Sequence, residues 1–276
     1  YLMLQKRLAQ TKSWIKELNE ETGRVHGYVN PNGAVTSRMT HSHPNMAQIP
    51  SSTSPYGEDC RACWTVPENY RLVGIDASGL ELRMLAHELN DKGYTNEILN
   101  GDIHTTNQRL AEIESRDQAK TFIYALLYGA GDAKLGSVVG RGRAVGKGLR
   151  QRFFDNLPAF KKLTDRVQRE AKSGFIKALD GRKLTVRSEH AALNTLLQGA
   201  GAIVMKKALI ILDDKITKHG WDAKFVANVH DEWQIECHVD DAVSVGKAGV
   251  HAIREAGCMF NLNCPLDGAY KVGENW

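Results

Sequence analysis

The chain has 276 residues, of which 42% are apolar and 25% are charged, the ordinary usage of a globular protein. This length fits one or two domains, and the composition excludes a collagen-like, fibrous or disordered chain. The net charge of +4 favours no class of partner by itself. The most apolar run, residues 202–212, is interrupted by Lys206 and Lys207, so we expect no membrane span and no membrane partner.

The predicted elements alternate between strand and helix along the chain. In order, they are an amphipathic helix over residues 1–20, short strands and ordered loop over 22–67, a strand over 70–76, a helix over 79–89, largely helical sequence over 103–171, a β-hairpin with strands 224–229 and 233–237, and a helix over about 243–256. Strand segments towards both ends flank a helical middle. This order predicts an α+β fold in which a sheet carries a helical insertion.

The five cysteines are an odd number, which favours free thiols in a reducing compartment over a disulfide framework. Cys60 and Cys63 have the spacing that opens many zinc sites, but no second pair follows at a suitable distance. We therefore prefer ordinary thiols, with a zinc site as the alternative. Because the chain begins at Tyr1, already within a predicted helix, we interpret it as part of a longer protein.

Positive charge is concentrated in residues 134–187, which contain fifteen Lys and Arg against four Asp and Glu. The rest of the chain has a net charge of −7, and seven glycines lie within residues 129–148. We interpret this basic segment as a surface for the phosphate backbone of a nucleic acid. The alternative is a set of solvated helix faces.

Acidic residues end two predicted strands. Asp76 ends the first strand, and Asp231 with Glu232 lies at the tip of the hairpin. A few rigidly held oxygen ligands suit Mg²⁺ better than zinc or copper, and Mg²⁺ held by few protein ligands usually shares its coordination with substrate phosphates. The alternative is a helix-capping Asp and a hairpin turn that is acidic by chance.

A stripe of four residues recurs at every fourth position of the helix predicted after Ser115, where Ser115 and Gln118 form a capping box. The stripe consists of Arg116, Lys120, Tyr124 and Tyr128. Two cations near the positive end of the helix dipole do not stabilise the helix, which favours an anionic ligand such as a triphosphate. The alternative is a surface cation pair followed by core tyrosines.

Together these segments resemble the family A (Pol I-like) DNA polymerases, in particular the replicative polymerases of podovirus-type phages. Three motifs carry the resemblance in the family's order, namely residues 76–83 (DASGLELR), residues 116–129 with the stripe, and residues 229–232 (VHDE). Supporting segments are residues 36–38, 44–50, 181–182 and 194–199. The resemblance covers the whole chain.

The resemblance implies template-directed addition of dNMP to a primer 3′-hydroxyl, with two Mg²⁺ ions held by Asp76, Asp231 and the carbonyl of Ala77. One ion would activate the 3′-hydroxyl for attack on the α-phosphate, and the other would neutralise the triphosphate and the leaving pyrophosphate. Glu232 would be a supporting acid.

The resemblance further implies that Arg116, Lys120 and His104 hold the β- and γ-phosphates of the dNTP, with Lys120 also donating a proton to the leaving group. Glu81 would exclude a ribose 2′-hydroxyl, and Tyr124 would lie at the nucleotide sugar. Tyr128 would stack near the templating base, and Gly131 would also contact the primer-template. The implied minor-groove contacts are Arg38, Gln48, Gln198 and His230.

In terms of domains, the resemblance implies a palm formed by residues 1–81 and 191–276 and helical, basic fingers over residues 82–190. We expect the thumb and the proofreading exonuclease to be absent from this chain, and a processivity partner, where one exists, to bind the missing thumb. The expected location is the cytoplasm of a bacterial host. The activity of this chain alone is left open.

Two other functions are alternatives. A metal-dependent nuclease would use Asp76, Asp231 and Glu232, but it would need no dNTP and gives the stripe no role. A nucleic-acid-binding module without catalysis would use the basic segment and gives the acids no role. Primer extension with and without dNTPs separates these hypotheses.

Overall fold

The computed structural model describes residues 1–276. The chain forms two compact units. The first unit contains residues 1–78, 202–259 and 266–276, and the second contains residues 79–201 and 260–265.

The helices are α1 (Leu2–Lys16), α2 (Gly57–Ala62), α3 (Leu80–Leu89), α4 (Lys92–Asn100), α5 (Ile103–Ala111), α6 (Arg116–Leu127), α7 (Asp132–Val138), α8 (Arg143–Asn156), α9 (Pro158–Ala171), α10 (Ala192–His219) and α11 (Ala242–Met259). The strands are β1 (Leu18–Asn19), β2 (Arg24–Val25), β3 (Tyr28–Asn30), β4 (Thr40–Ser42), β5 (Tyr70–Ala77), β6 (Phe175–Lys177), β7 (Lys183–Thr185), β8 (Ala223–Val229), β9 (Glu232–His238) and β10 (Gly268–Gly273). Two 3₁₀ turns cover Met46–Gln48 and Glu189–Ala191.

The first unit is built on an antiparallel sheet of four strands in the order β10-β5-β9-β8. The predicted strand over residues 70–76 and the predicted hairpin are confirmed as β5, β8 and β9. On the face covered by α11, the side chains of β5 and β9 are apolar, and Val73, Ile75 and Trp233 have no exposed surface. The sequence analysis missed β10, a six-residue edge strand bounded by glycines.

Helix α11 packs on one face of this sheet through glycines. A Cβ atom at Gly249 would lie 2.3 Å from the Cδ1 of Ile75, and one at Gly246 would lie 2.2 Å from the ring of Tyr270. The missing side chains therefore let the helix backbone approach β5 and β10 closely, which fixes the position of both strands.

The N-terminal part of the first unit has a small core of its own. Trp14 from α1, Ile49 and Cys60 are buried together, with Met46 and Trp64 packed against them. The rings of Trp14 and Trp64 meet edge to face at 5.1 Å between centroids. This cluster anchors the turn-rich segment, where the predicted short strands are confirmed as β2 to β4. Two details of the prediction are wrong: residues 18–19 form β1 because α1 ends at Lys16, and Gly57–Ala62 forms the helix α2.

The second unit contains α3 to α9 and the small hairpin β6-β7, which confirms the predicted helical insertion. An aromatic cluster joins three of its helices, because Phe153 of α8 packs edge to face on Phe122 of α6 at 5.9 Å and on Phe160 of α9 at 5.2 Å. The basic helices thus turn apolar faces inward and leave their cations outside.

Helix α10 contributes residues to both units. The segment Glu189–His219 is long and apolar enough to cross a membrane by length and composition, with a mean hydropathy of 1.5 over its most apolar window. Of that window, 72% is buried inside the protein, the burial expected of a core helix. Lys206 within it donates from Nζ to the backbone carbonyl of Ser37 at 2.6 Å.

The close approach of Gly249 to Ile75 leads to a prediction about the free energy of unfolding. We expect Gly249→Ala to lower the free energy of unfolding by about 1–3 kcal/mol, because the new methyl group meets the buried Ile75 side chain. Gly148 of α8 is the matched control, since its Cβ would have only an ordinary 3.4 Å contact with Arg152. Gly148→Ala should be neutral or stabilise by up to about 1 kcal/mol. Urea unfolding of both variants checks this, and equal effects would contradict the close-packing account.

Candidate active site

The strand-end acids lie on adjacent strands of the first unit. In the antiparallel register of β5 and β9, Asp76 pairs with Glu232. One residue further on, the backbone N–H of Ala77 donates to the carbonyl of Asp231 at 3.0 Å. The register therefore brings Asp76, Ala77, Asp231 and Glu232 together at one end of the sheet, as the sequence analysis predicts.

Burial and charge repulsion both act on the carboxylates of this cluster. Partial burial of the carboxyl group, followed by the negative charges of Asp231 and Glu232, raises the pKa of Asp76 from 3.8 to about 6. The residue keeps exposed surface, so water screens part of this repulsion. Neither Asp76 nor Asp231 forms an ion pair with a Lys or Arg, so no cation of the protein compensates the cluster.

This donor set fits Mg²⁺. Two carboxylates without a cationic partner and a neighbouring backbone carbonyl are hard oxygen donors, and Mg²⁺ completes its shell with waters and substrate phosphates. No group of three or more His, Cys, Asp or Glu side chains is arranged to hold a metal by itself. The five cysteines are free thiols, and Cys60, Cys237 and Cys264 are buried.

His230 immediately precedes Asp231 in the chain, and Arg38 lies near the His230 side chain. His230 holds the hairpin tip in a left-handed conformation with φ of 61°. Burial and the positive charge of Arg38 lower its pKa, which keeps the imidazole neutral at pH 7. The Arg38 side chain makes no hydrogen bond or ion pair, so its guanidinium donors are available to a ligand. The sequence analysis missed His41, whose buried Nε2 has no hydrogen-bond partner.

Gln48, the other predicted contact residue of the first unit, lies in the 3₁₀ turn Met46–Gln48, which packs against β8. Gln10 of α1 donates to the backbone carbonyl of Gln48 at 2.6 Å. This bond ties the turn to α1, and the Gln48 side chain remains unbonded within the protein.

In the second unit, α6 turns a polar stripe outward from an apolar core. Ala119, Phe122, Ile123 and Leu127 are fully buried, whereas Arg116, Lys120 and Tyr128 are exposed and Tyr124 is half-buried. The predicted stripe on a single helix face is confirmed. One detail of the prediction is wrong: Ser115 is the N-cap, but its side chain makes no capping hydrogen bond.

Arg116 has an internal partner that sequence reasoning missed. Its guanidinium forms a bidentate pair with Asp102, with Nε at 2.6 Å from one carboxylate oxygen and the terminal nitrogen at 3.0 Å from the other. Asp102 also caps α5 by accepting from the backbone N–H of His104 at 3.0 Å. The Arg116 guanidinium, together with these bonds, holds the pKa of the Asp102 carboxyl far below its usual range. Lys120 forms no ion pair.

His104 lies next to the stripe. Its ring centroid is 6.3 Å from that of Tyr124, and its Nδ1 is buried without a hydrogen-bond partner. Burial and the charges of Arg116 and Lys120 lower its pKa. A neutral imidazole therefore lies beside two cations, an arrangement suited to hydrogen bonding with an anion.

Glu81 and Tyr128 form a hydrogen-bonded pair. The Tyr128 hydroxyl donates to the Glu81 carboxylate at 3.0 Å, and the Tyr128 ring lies 6.4 Å from the Tyr124 ring. The two remaining predicted residues of this unit lie on other elements. Gly131 is the N-cap of α7, and Gln198 is half-buried on α10 with no hydrogen bond from its side chain.

The basic segment keeps most of its charge unpaired. Of its fifteen cations, five form ion pairs within the protein, namely Arg150, Arg152, Lys161, Arg166 and Arg182. The other ten have no carboxylate partner. This excess suits a polyanion surface better than a set of helix faces with balanced charge.

The chain is similar in sequence to known proteins of one family. The family model described as DNA polymerase family A matches residues 1–276. The "DNA-directed DNA polymerase" proteins of Enterobacteria phage T3 and Escherichia phage T7 are each 47% identical over 313 aligned positions, which cover 100% of this chain and 44% of each relative. The chain therefore spans less than half the length of these curated relatives.

A solved structure described as the "POL domain of Pol1 from M. smegmatis complex with DNA primer-template and dNTP" has the same fold. It superposes with a TM-score of 0.88 at 24% identity and covers 97% of this chain and 50% of that chain. The α+β architecture of the two chains is thus shared.

The raised pKa of Asp76 predicts a stability gain on its removal. Because this pKa of about 6 lies above the value of 3.8 in an unfolded chain, the folded state binds the proton more tightly. The wild-type chain should therefore lose stability as the pH rises from about 4 through about 6. In the presence of a chelator, Asp76→Asn should unfold with about 1 kcal/mol more free energy at pH 7.5, after allowance for solvent screening.

Urea unfolding at pH 4.5, 6 and 7.5 measures this difference. Asp214→Asn, at an exposed position of α10 without an ion pair, is the matched control and should show no such pH-dependent gain. A difference between Asp76→Asn and wild type that does not change with pH would contradict the charge-repulsion account.

Proposed function

Because the chain belongs to DNA polymerase family A, we propose that it carries the nucleotide-adding activity of a DNA-directed DNA polymerase. The observation that carries this proposal is the pair of strand-end carboxylates, Asp76 and Asp231, which the β5-β9 register brings together without any compensating cation. The family resemblance stated from the sequence is confirmed. The division of labour among the residues is our proposal.

We assign metal binding to Asp76, Asp231 and the carbonyl of Ala77. Two Mg²⁺ ions bound there would lower the pKa of the primer 3′-hydroxyl and would stabilise the negative charge of the pyrophosphate leaving group. The carboxylates bind cations readily, because a bound cation offsets their mutual repulsion. Glu232 adds a third negative charge beside them.

The triphosphate is assigned to the second unit. Lys120 forms no ion pair and offers its ammonium group to the β- and γ-phosphates, and the neutral His104 offers hydrogen bonding beside it. Arg116 binds the same phosphates when it exchanges Asp102 for them. Lys120 is also the group from which the leaving pyrophosphate takes a proton.

Selection of the sugar is assigned to Glu81 and Tyr124. The hydrogen bond from Tyr128 holds the Glu81 carboxylate in one orientation, which suits a group that excludes a 2′-hydroxyl by its bulk and charge. Tyr124, one turn before Tyr128, presents a phenol oxygen at the position assigned to the 3′ side of the sugar.

The primer-template is assigned to two sets of groups. Arg38, Gln48, His230, Gln198 and Gly131 contact the duplex near the primer end, where minor-groove acceptors occur at every base pair and are recognised without sequence preference. The ten unpaired cations of residues 134–187 bind phosphates of the nucleic acid. This second contribution weakens as the salt concentration rises.

Removal of one carboxylate tests the proposal. We expect Asp231→Asn to reduce nucleotide addition about 10³-fold or more, because several kcal/mol of transition-state stabilisation are lost with the metal site. Asp240→Asn, in the exposed turn after β9, is the matched control and should keep wild-type activity. A labelled primer-template incubated with Mg²⁺, with and without dNTPs, gives the readout.

Extension within tenfold of wild type by Asp231→Asn would contradict the metal assignment. Shortening of the primer that does not depend on dNTPs, with no extension, would favour the nuclease alternative instead. DNA binding by the wild type without either reaction would favour the non-catalytic module.

The phenol oxygen of Tyr124 makes a second prediction. A dideoxynucleotide leaves the place of its 3′-hydroxyl empty, and the phenol can satisfy the polar groups there. Phenylalanine leaves them unsatisfied, at about 1–3 kcal/mol for each lost partner. We therefore expect the wild type to use ddNTPs nearly as well as dNTPs, and Tyr124→Phe to discriminate against ddNTPs at least about tenfold.

The measurement is the ratio of kcat/KM for ddTTP and dTTP. Tyr94→Phe is the matched control, because it removes a hydroxyl that donates to Asn107 at 3.1 Å in the buried interior of the same unit. An unchanged ratio in Tyr124→Phe would remove Tyr124 from the sugar site without affecting the other assignments.

A further inference from the structure

The Glu232 side chain is held by two donors on the same oxygen. The indole Nε1 of Trp276 donates to Oε1 at 2.7 Å, and the side-chain amide of Gln234 donates to the same atom. The Oε2 atom accepts from neither of them. An acid at the edge of a metal site is thus fixed through one oxygen while the other remains for a ligand.

Trp276 is itself fixed by contacts on several sides. Its backbone N–H donates to the carbonyl of Trp64 at 3.2 Å, and its neighbour Asn275 forms a β-bridge with Thr65. The guanidinium of Arg61 lies 5.2 Å from the centre of its ring. The ring also packs against the buried cluster that contains Trp14. The indole N–H therefore has a defined position, set by the core of the first unit.

Gln234 is fixed in a different way. It is 95% buried on the central strand β9, on the same side of the strand as Glu232 and Glu236. Opposite it in the register lies Gly74, and a Cβ atom there would lie 2.9 Å from the amide nitrogen of Gln234. The glycine thus leaves the room that the amide occupies.

Glu232 lies directly beside the carboxylate pair, because it follows Asp231 in the chain and is the register partner of Asp76. The orientation of Glu232 therefore affects the field at the metal ligands. Without its two donors, the side chain could rotate about its χ angles and lose this orientation.

We propose that Trp276 and Gln234 are positioning residues, which orient Glu232 towards the Asp76-Asp231 pair for metal binding and nucleotide transfer. This inference rests on the proposed function, and it assigns a role to the indole N–H that is separate from the packing of the ring. Neither residue contacts the reacting atoms in this assignment.

Trp276→Phe is the informative variant, because it keeps an aromatic ring at this position and removes the indole donor. Trp64→Phe is its matched control. Trp64 belongs to the same aromatic cluster, but its buried indole nitrogen has no hydrogen-bond partner. Each variant replaces an indole of the same cluster by a phenyl ring, and only Trp276→Phe removes a bond to Glu232. Gln234→Met, a replacement of similar volume, removes the other donor and tests the inference independently.

In primer extension by the full 276-residue chain, Trp276→Phe should lower kcat about tenfold, while KM for the primer-template stays unchanged. Glu232→Gln should cause a similar loss, and the double variant should be no slower than Glu232→Gln alone. Losses that multiply in the double variant, or an equal loss in Trp64→Phe, would show that Trp276 acts through packing and would overturn the inference.

Two measurements need no catalysis. Mn²⁺ titration followed by electron paramagnetic resonance should show about tenfold weaker binding in Trp276→Phe than in wild type or Trp64→Phe. In ¹⁵N-tryptophan-labelled protein, the indole N–H resonance absent from Trp276→Phe should shift in Glu232→Gln. Equal Mn²⁺ affinity, or an unshifted resonance, would overturn the positioning role even where extension is normal. Failure of the wild type to extend a primer would instead contradict the proposed function.

Discussion

The antiparallel pairing of β5 and β9 is the constraint on which the rest of the first unit depends. Left to electrostatics alone, Asp76 and Asp231 would move apart, and backbone hydrogen bonds hold them at one end of the sheet instead. The strands can bear this repulsion because their interior is tightly packed: Ile75 and Trp233 are fully buried, and Gly249 admits α11 directly onto β5. Folding of the sheet thus holds the two carboxylates close together before a cation binds, and the cation is bound more tightly because it relieves their repulsion.

The two units hold their charged groups in place in different ways. In the first, like charges are left uncompensated and held by backbone structure. In the second, the cation Arg116 is compensated by a carboxylate from another helix, while Lys120 remains unpaired. Both arrangements keep the groups in place before a ligand arrives, which reduces the entropy lost on binding. The hydrogen bond from Tyr128 likewise holds the Glu81 carboxylate in place before a ligand binds.

Much of this could be predicted from the sequence because its signals are local. The apolar run of β5, the acidic hairpin tip and the four-residue spacing on α6 each lie within one element or one turn, so the strand, the hairpin and the helix that carry Asp76, Asp231 and Arg116 could be predicted. The sequence analysis missed two hydrogen-bonded residue pairs, because the members of each pair lie far apart in the chain and no local pattern indicates them. Asp102 precedes Arg116 by 14 positions on another helix, and Trp276 follows Glu232 by 44. Their signals, an N-cap Asp and a tryptophan after a glycine-bounded strand, have ordinary structural explanations. Edge strand β10 was missed because its exposed, short pattern carries little apolar periodicity.

The ion pair of Arg116 with Asp102 has a consequence for discrimination among anions. An incoming ligand with one negative charge only replaces a carboxylate that is already bound in bidentate geometry, so the exchange gains little free energy. A ligand with several charges also engages Lys120 and His104, which Asp102 does not satisfy, and can displace the carboxylate with a net gain. Only ligands with several negative charges therefore displace Asp102 from Arg116 with a gain in free energy. In the proposed function, this requirement separates a triphosphate from acetate, chloride or a single phosphate before any base is contacted.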